Sequence, residues 1–314
     1  MTGPQTPASA PVPGSGSVLV VGEALVDLVP VDGDPGFRAA QPGGAPANVA
    51  VGLARLGGRP SFVGGIGDDA FAGTIEAWLG GAGVDLSLSA RPALPTALAV
   101  ADPGRGGNSY RFHLRDTATF QLPDRSTEAS RFGAVYVGGL AAVVEPAARA
   151  VAATARAAAR DGLLAVDPNV REDRTLDPVR SLGRLRELCG LARVVKASDE
   201  DLVRLWPDAE PEASCRRLAA QERLVVLTRG PRGAVAYAHG APAVSVPALP
   251  VRVVNTIGAG DAFMAGMLSW LGAEAGWRTD LSAEETRAML EYAAGTAASV
   301  CARAGTEPTA PLAV

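Results

Sequence analysis

From Ala134 onward, short apolar runs alternate with segments of helical spacing. "AVYVGGL", "LLAVDPN", "RVVKAS", "LVVLTRG" and "AVAYAHG" are rich in small and β-branched residues, end in Gly or polar residues, and read as strands. Between and around them, 146–161, 176–190, 199–206 and 211–221 read as helices. Alternation of this kind confines the chain to a largely parallel sheet covered on both faces. With 314 residues, the chain has core enough for one large α/β domain or two smaller ones. No linker and no internal repeat interrupts 17–310.

The first third adds to the pattern. "SVLVVGEALVDLVP" (17–30) reads as one buried strand broken at Gly22-Glu23. A Gly-Gly turn and a helix from about Ala45 to Leu56 follow, then a strand in "RPSFVGGIGDD" and a helix in "DAFAGTIEAWLGGAG". Residues 95–122 differ: polar and apolar residues alternate on both sides of "PGRGGN", which predicts a hairpin with one wet face. Residues 1–16 have neither a charged leader nor an apolar run and read as a flexible tail rather than a signal peptide.

Composition removes several function classes. Net charge is −4 and the basic residues are scattered, which argues against a nucleic-acid partner. No apolar segment approaches the roughly 18 residues of a membrane span. Three distant cysteines and two histidines give no disulfide framework and no zinc spacing, so the expected compartment is the cytoplasm. The chain has one lysine, Lys196, and it follows Val195. A Gly-Lys-Ser/Thr phosphate loop is therefore impossible, and no His-Arg-Asp loop of a protein kinase occurs.

The chemistry concentrates at Gly-rich strand ends, where open α/β sheets bind ligands. In "NTIGAGDAF" (255–263), "VRVVN" upstream reads as a short buried strand. Downstream, Phe263, Met267, Trp270 and Leu271 mark one helix face, with Gly272 as its stop. Gly258, Ala259 and Gly260 thus precede a helix whose first N–H groups carry partial positive charge and suit a phosphate. Asp261 beside them could take a proton from an attacking hydroxyl; the plainer alternative is a helix cap. Asp27, the "GGAPAN" turn with Asn48, and "TRGPRG" (228–233) are the other polar strand ends. Their plain readings are a solvated charge, a helix start and a hairpin turn. A dinucleotide fold is weakened because Gly22 is not followed by the rest of G-x-G-x-x-G.

Two long stretches now resemble a known family. "GGAPANVAVGLARLGGRPSFVGGIGDDAF" (43–71) and "NTIGAGDAFMAGML" (255–268) resemble the N- and C-terminal signatures of the ribokinase-like (PfkB) carbohydrate kinases, with "GEALVDLVP", "AVDPNVR", "VKASDEDL" and "TRGPRGA" in the family's order. The resemblance implies an α/β fold: a ribokinase-like three-layer sandwich over 17–314, with a mostly parallel central sheet and a small β lid inserted at about 31–42 and 95–122. It implies transfer of the γ-phosphoryl group of ATP, with Mg²⁺, to the primary hydroxyl of a sugar. The bacterial fructokinase branch is most similar, which points to D-fructose and fructose 6-phosphate. 2-Keto-3-deoxygluconate, ribose or a nucleoside are the alternative substrates, and an inactive sugar-binding regulator is the alternative from another class.

By the same resemblance, Asp27, Gly43, Gly44 and Asn48 would hold sugar hydroxyls, and Phe112 or Phe120 would press on the sugar from the lid. Arg171 would bind phosphate. Lys196, Ser198, Thr228, Gly230 and Gly233 would lie along the nucleotide. Gly258, Ala259 and Gly260 would donate N–H groups to the transferring phosphoryl, with Asp261 as base. Two positions depart from the family's pattern. Ser198-Asp-Glu-Asp201 replaces Asn-x-x-Glu, leaving Asp201 as a shorter indirect support for Mg²⁺. Asn255 stands where Asp usually helps bind a monovalent cation, which predicts a weak site. The apolar edge of the lid hairpin could pair two subunits.

Overall fold

The computed structural model describes residues 17–31, 34–104, 107–303, 305–308 and 311–312. The segment 1–16 and Arg105-Gly106 at the hairpin tip lie outside the described residues. In chain order the elements are β1 (Ser17–Val21), β2 (Leu25–Val31), β3 (Asp34–Gly43), α1 (Ala45–Arg55), β4 (Arg59–Val63), α2 (Ala70–Ala82), β5 (Leu98–Gly104) and β6 (Gly107–His113). Then come β7 (Ala134–Gly138), α3 (Ala147–Asp161), β8 (Leu163–Asp167), α4 (Pro178–Leu191), β9 (Val194–Ser198), α5 (Asp199–Leu205), α6 (Pro211–Ala219) and β10 (Leu224–Thr228). The chain closes with β11 (Ala234–Tyr237), β12 (Val244–Val246), α7 (Ala259–Ala273) and α8 (Ala283–Cys301).

Eight strands form the central sheet in the order β12-β11-β10-β9-β8-β7-β1-β4. Its six strands from β10 to β4 are parallel, and β11 and β12 run antiparallel at one edge. Side chains alternate across the sheet, so each strand feeds two cores. Leu19, Val21, Val135 and Val137 pack with α3, α4, α5 and α6, whereas Val18, Val20, Tyr136 and Ala165 pack with α1, α2, α7 and α8. The result is a three-layer sandwich. From β1 the chain passes to β4 on one side and later to β7 on the other, which opens a crevice at the C-terminal strand ends. Among the described residues, no helix is long and apolar enough to cross a membrane.

A second sheet, ordered β3-β2-β5-β6, stands apart from the first. This changes the reading of 17–30. The break at Gly22-Glu23 is where the chain leaves the central sheet, and Leu25–Val31 belongs to the lid, not to a continuing core strand. The lid therefore starts earlier than residue 31. It also ends sooner than residue 122: the hairpin covers Leu98–His113, and Ala118–Phe120 forms a 3₁₀ turn docked on the core. Phe120, 1% exposed, is a core residue and cannot face a sugar.

The second correction concerns "VRVVN". No strand forms at 251–255, and Val253 and Val254 are 59% and 57% exposed. The N–H groups of Val254 and Asn255 donate to the carbonyl of Cys301, so the segment crosses the end of α8 rather than pairing with a strand. A β-branched run cannot become a strand without a ladder partner.

Close backbone approaches seat the segments that flank the hairpin. A Cβ on Gly65 would fall 1.8 Å from the Ala118 carbonyl oxygen, and one on Gly67 would fall 2.3 Å from that of Leu94. Gly80, in α2, has nothing within 4 Å of its Cβ position. Gly65→Ala is expected to lower unfolding free energy by about 1–3 kcal/mol or more, whereas Gly80→Ala should raise it by about 0.5–1 kcal/mol. Urea unfolding of both variants checks the opposite signs.

Candidate active site

Two helices begin at the C-terminal edge of the central sheet and aim their N-termini at one point. Gly44 caps α1 at φ 106° and Gly258 caps α7 at φ 79°, backbone conformations that favour glycine. The α7 ladder starts with Ala262 N–H to the Gly258 carbonyl, so the N–H groups of Gly260 and Asp261 precede the first rung. The N–H of Ala259 donates to the Thr256 carbonyl at 3.2 Å.

Asp261 is buried in the first turn of α7 and makes no capping bond there. The cap reading therefore fails. Its carboxylate instead crosses to α1, where Asn48 Nδ2 donates to Oδ2 at 2.8 Å. Asn169 Nδ2 stands 3.5 Å from the other oxygen. Burial pushes the Asp261 carboxyl up to about 6; the Asn48 bond and the charges of Lys196 and Arg171 oppose that rise. Lys196, buried on β9, forms an ion pair with Asp167 at 2.8 Å. Burial works against its charge, but Asp167 holds the ammonium above its ordinary range. A Cβ on Gly260 would lie 3.0 Å from Lys196 Nζ, so the ammonium rests against the turn. Site and turn thus combine a buried carboxylate, a fixed cation and helix N–H groups.

The lid supplies a second group. Asp27 on β2 pairs with Ala99 on β5, which pairs with Phe112 on β6, so the three lie side by side. Tyr110 stacks on Phe112 with ring centroids 6.1 Å apart. A Cβ on Gly43 would sit 2.2 Å from Asp27 Oδ2, so the carboxylate lies directly against that glycine. Burial raises the Asp27 carboxyl to about 6, and Arg171 opposes it. Exposed Arg171 acts on both Asp27 and Asp261, and so links the two groups electrostatically.

The remaining predicted residues occupy the ends of β9 and β10. Ser198 and Thr228 are register neighbours beyond Lys196. Gly230 and Gly233 bracket a tight turn between β10 and β11, where a Cβ on Gly233 would meet the Val246 carbonyl at 2.1 Å. Asp201 closes a capping box with Ser198, and its other oxygen accepts the Val170 N–H at 2.8 Å. It thereby fixes the loop carrying Asn169 and Arg171. Asn255 turns its amide oxygen back onto the Ile257 N–H at 3.0 Å.

Four neighbours were not singled out by sequence reasoning. Asp167 and Asn169 sit in "DPNVR", where only Arg171 drew notice; an acid at a strand end was the available signal. Tyr110 shares the hairpin alternation with Phe112. Glu23 accepts the N–H groups of Leu140 and Ala141 at 3.0 and 2.9 Å, and burial raises its carboxyl to about 7. Nothing local marks that pairing.

The sequence matches the pfkB family of carbohydrate kinases over residues 15–313, and the chain belongs to that family. It is 36% identical to a fructokinase of Klebsiella pneumoniae over 265 residues, 82% of this chain and 85% of that one. It is 35% identical to a fructokinase of Escherichia coli over 278 residues, 86% and 88% of the two chains. The fold is similar to that of Vibrio cholerae fructokinase in a form with fructose, ADP and calcium ion, with TM-score 0.82, 29% identity and coverage of 95% and 96%. It is likewise similar to Xylella fastidiosa fructokinase with bound ATP, with TM-score 0.84, 28% identity and coverage of 94% and 96%. The fold is therefore ribokinase-like.

The Asn48 bond opposes the rise of the Asp261 carboxyl. Carbon-detected NMR titration should find Asp261 titrating near 6, and Asn48→Ala should move that midpoint upward.

Proposed function

We propose that this protein phosphorylates D-fructose at its 6-hydroxyl with MgATP. The observation that carries the reading is the buried Asp261 carboxylate, held by Asn48 beside the glycine turn at the start of α7. Asp261 takes the proton of the sugar hydroxyl as that oxygen bonds to the γ-phosphorus and ADP leaves. The N–H groups of the turn and Lys196 face the phosphoryl charge in a site shielded from water, where fixed dipoles act strongly. Asp27, Gly43 and Gly44 hold the sugar from the lid side, with Phe112 and Tyr110 as its apolar wall. Ser198, Thr228, Gly230 and Gly233 form the ledge for the nucleotide, and Arg171 meets phosphate.

Among the described residues, no group of three or more His, Cys, Asp or Glu could hold a metal ion. Asp167 and Asp201 are engaged by Lys196, Ser198 and Val170. Mg²⁺ would enter with the phosphates of ATP and offset their charge, and Asp201 would support it indirectly through the loop it fixes. Arg171 beside Asp27 would also suit the carboxylate of a sugar acid such as 2-keto-3-deoxygluconate. A coupled ADP-release assay over fructose, ribose, 2-keto-3-deoxygluconate and nucleosides separates these. Fructose should have the highest kcat/KM, and turnover of none of them would reject kinase activity. The reading extends to the cytoplasm as its compartment and to a homodimer joined along the lid edges β3 or β6.

Asp261→Asn should leave fructose binding intact and lower kcat by roughly 10²–10⁴-fold. Because the base must be ionised and its pKa is raised to about 6, kcat/KM should fall as pH drops through that value. Asp27→Ala should raise the fructose KM and leave the ATP KM unchanged, since a hydroxyl loses its acceptor.

Asn255 supplies an oxygen without a charge, and that oxygen already accepts a backbone N–H. K⁺ dependence is expected to be weak, and Asn255→Asp should strengthen it. The check is kcat against KCl at constant ionic strength; strong saturable activation of the wild type would reject the assignment.

A further inference from the structure

The lid sheet leaves the core at two roots. One is Ala24, between β1 and β2; the other is Ala97, just before β5. Thr119, in the 3₁₀ turn Ala118–Phe120, stands between them and is 1% exposed. Its hydroxyl accepts the Ala97 N–H at 3.1 Å and donates to the Ala24 carbonyl at 3.1 Å. A third bond, Val26 N–H to the Ala97 carbonyl at 3.1 Å, completes a closed ring across the two roots.

The turn that carries Thr119 is itself fixed to the core. Ala118 N–H donates to the Pro95 carbonyl at 2.8 Å, and the Ala118 carbonyl abuts Gly65, where no side chain fits. Phe120 is sunk among core residues. Beside the first root, Glu23 grips Leu140 and Ala141. A single hydroxyl, used as both donor and acceptor, thus connects a rigid part of the core to both strands that carry the lid outward. Asp27 is three residues beyond one root, and Ala99, its register partner, is two beyond the other.

We infer that Thr119 is a positioning residue that fixes both lid strands at their roots and so sets Asp27 and Phe112 against Asp261. This rests on the kinase reading above. Without the hydroxyl, a buried N–H and a buried carbonyl lose their partner, and the two roots, still joined to each other by the Val26–Ala97 bond, lose their tie to the 3₁₀ turn and can shift together against the core. A small tilt there is magnified along the strands. The sugar site, half of which lies on the lid, should suffer more than the nucleotide ledge, which lies on the central sheet.

Thr119→Val removes the hydroxyl at nearly constant shape, and Thr119→Ser keeps it. The valine variant should raise the fructose KM roughly tenfold, the low end of the scale for two unpaired buried groups, with the ATP KM within about twofold of wild type. It should also release more ADP per fructose phosphorylated. Amide hydrogen exchange should quicken at Val26 and Ala97 and stay unchanged in α7. The serine variant should match the wild type in all of these.

Wild-type fructose KM and coupling in the valine variant would overturn the assignment. So would a serine variant as impaired as the valine one, since the hydroxyl would then be irrelevant. If the valine variant does not fold, Thr119→Ala replaces it. Failure of both to fold, beside a normal serine variant, would assign the hydroxyl to stability alone. If the wild type phosphorylates no sugar, the kinase reading fails, and the exchange rates at Val26 and Ala97 decide the role of Thr119 by themselves.

Discussion

A 2.8 Å hydrogen bond from Asn48 to Asp261 joins the first turns of two helices across 213 residues of sequence. It can form only because α1 and α7 lie very close. A Cβ on Gly52 would sit 2.7 Å from that of Ala265, so small residues bring the two backbones together. The two positive helix ends then converge on one volume, and a carboxylate can be buried there with a donor on one side and Lys196 on the other. Burying that charge without partners would be strongly unfavourable. The site is therefore a consequence of helix packing as much as of its own residues.

The same packing separates rigid parts from adjustable ones. Asp261, Lys196 and Asp167 sit on elements of the central sandwich, where β-ladders and two cores fix them. Asp27, Tyr110 and Phe112 sit on a second sheet whose connection to the first runs through Glu23, Ala24, Ala97 and Thr119. Asp261, Lys196 and Asp167 thus have a fixed frame, and Asp27, Tyr110 and Phe112 have a mounting of a few hydrogen bonds. An arrangement of this kind suits a site that must admit a polar substrate and then exclude water.

Much of this was legible in the sequence. Strand and helix periods gave the central sandwich from β7 to β10, because each element buries a face whose spacing is local information. The glycines before α1 and α7, and Asp261 itself, were legible because a turn with positive φ and an acid at a helix start are short-range features. Family resemblance supplied the order of the motifs and the lid.

Other features were decided only by tertiary structure. Whether Leu25–Val31 continued the core strand or entered the lid depended on which edge accepted its hydrogen bonds, and no local pattern records that. "VRVVN" has strand composition but met no ladder, so it stayed exposed. Phe120 and Phe112 lie eight residues apart with similar surroundings in sequence, yet one fills the core and the other is only half-buried, on the lid sheet in line with Asp27. The pairing of Asp261 with Asn48, of Lys196 with Asp167, and of Thr119 with both lid roots joins residues from separate elements. Sequence fixes which faces are apolar and where the chain can turn. Which polar groups meet inside depends on long-range packing, since a buried donor or acceptor takes its partner from whatever element the fold brings opposite it.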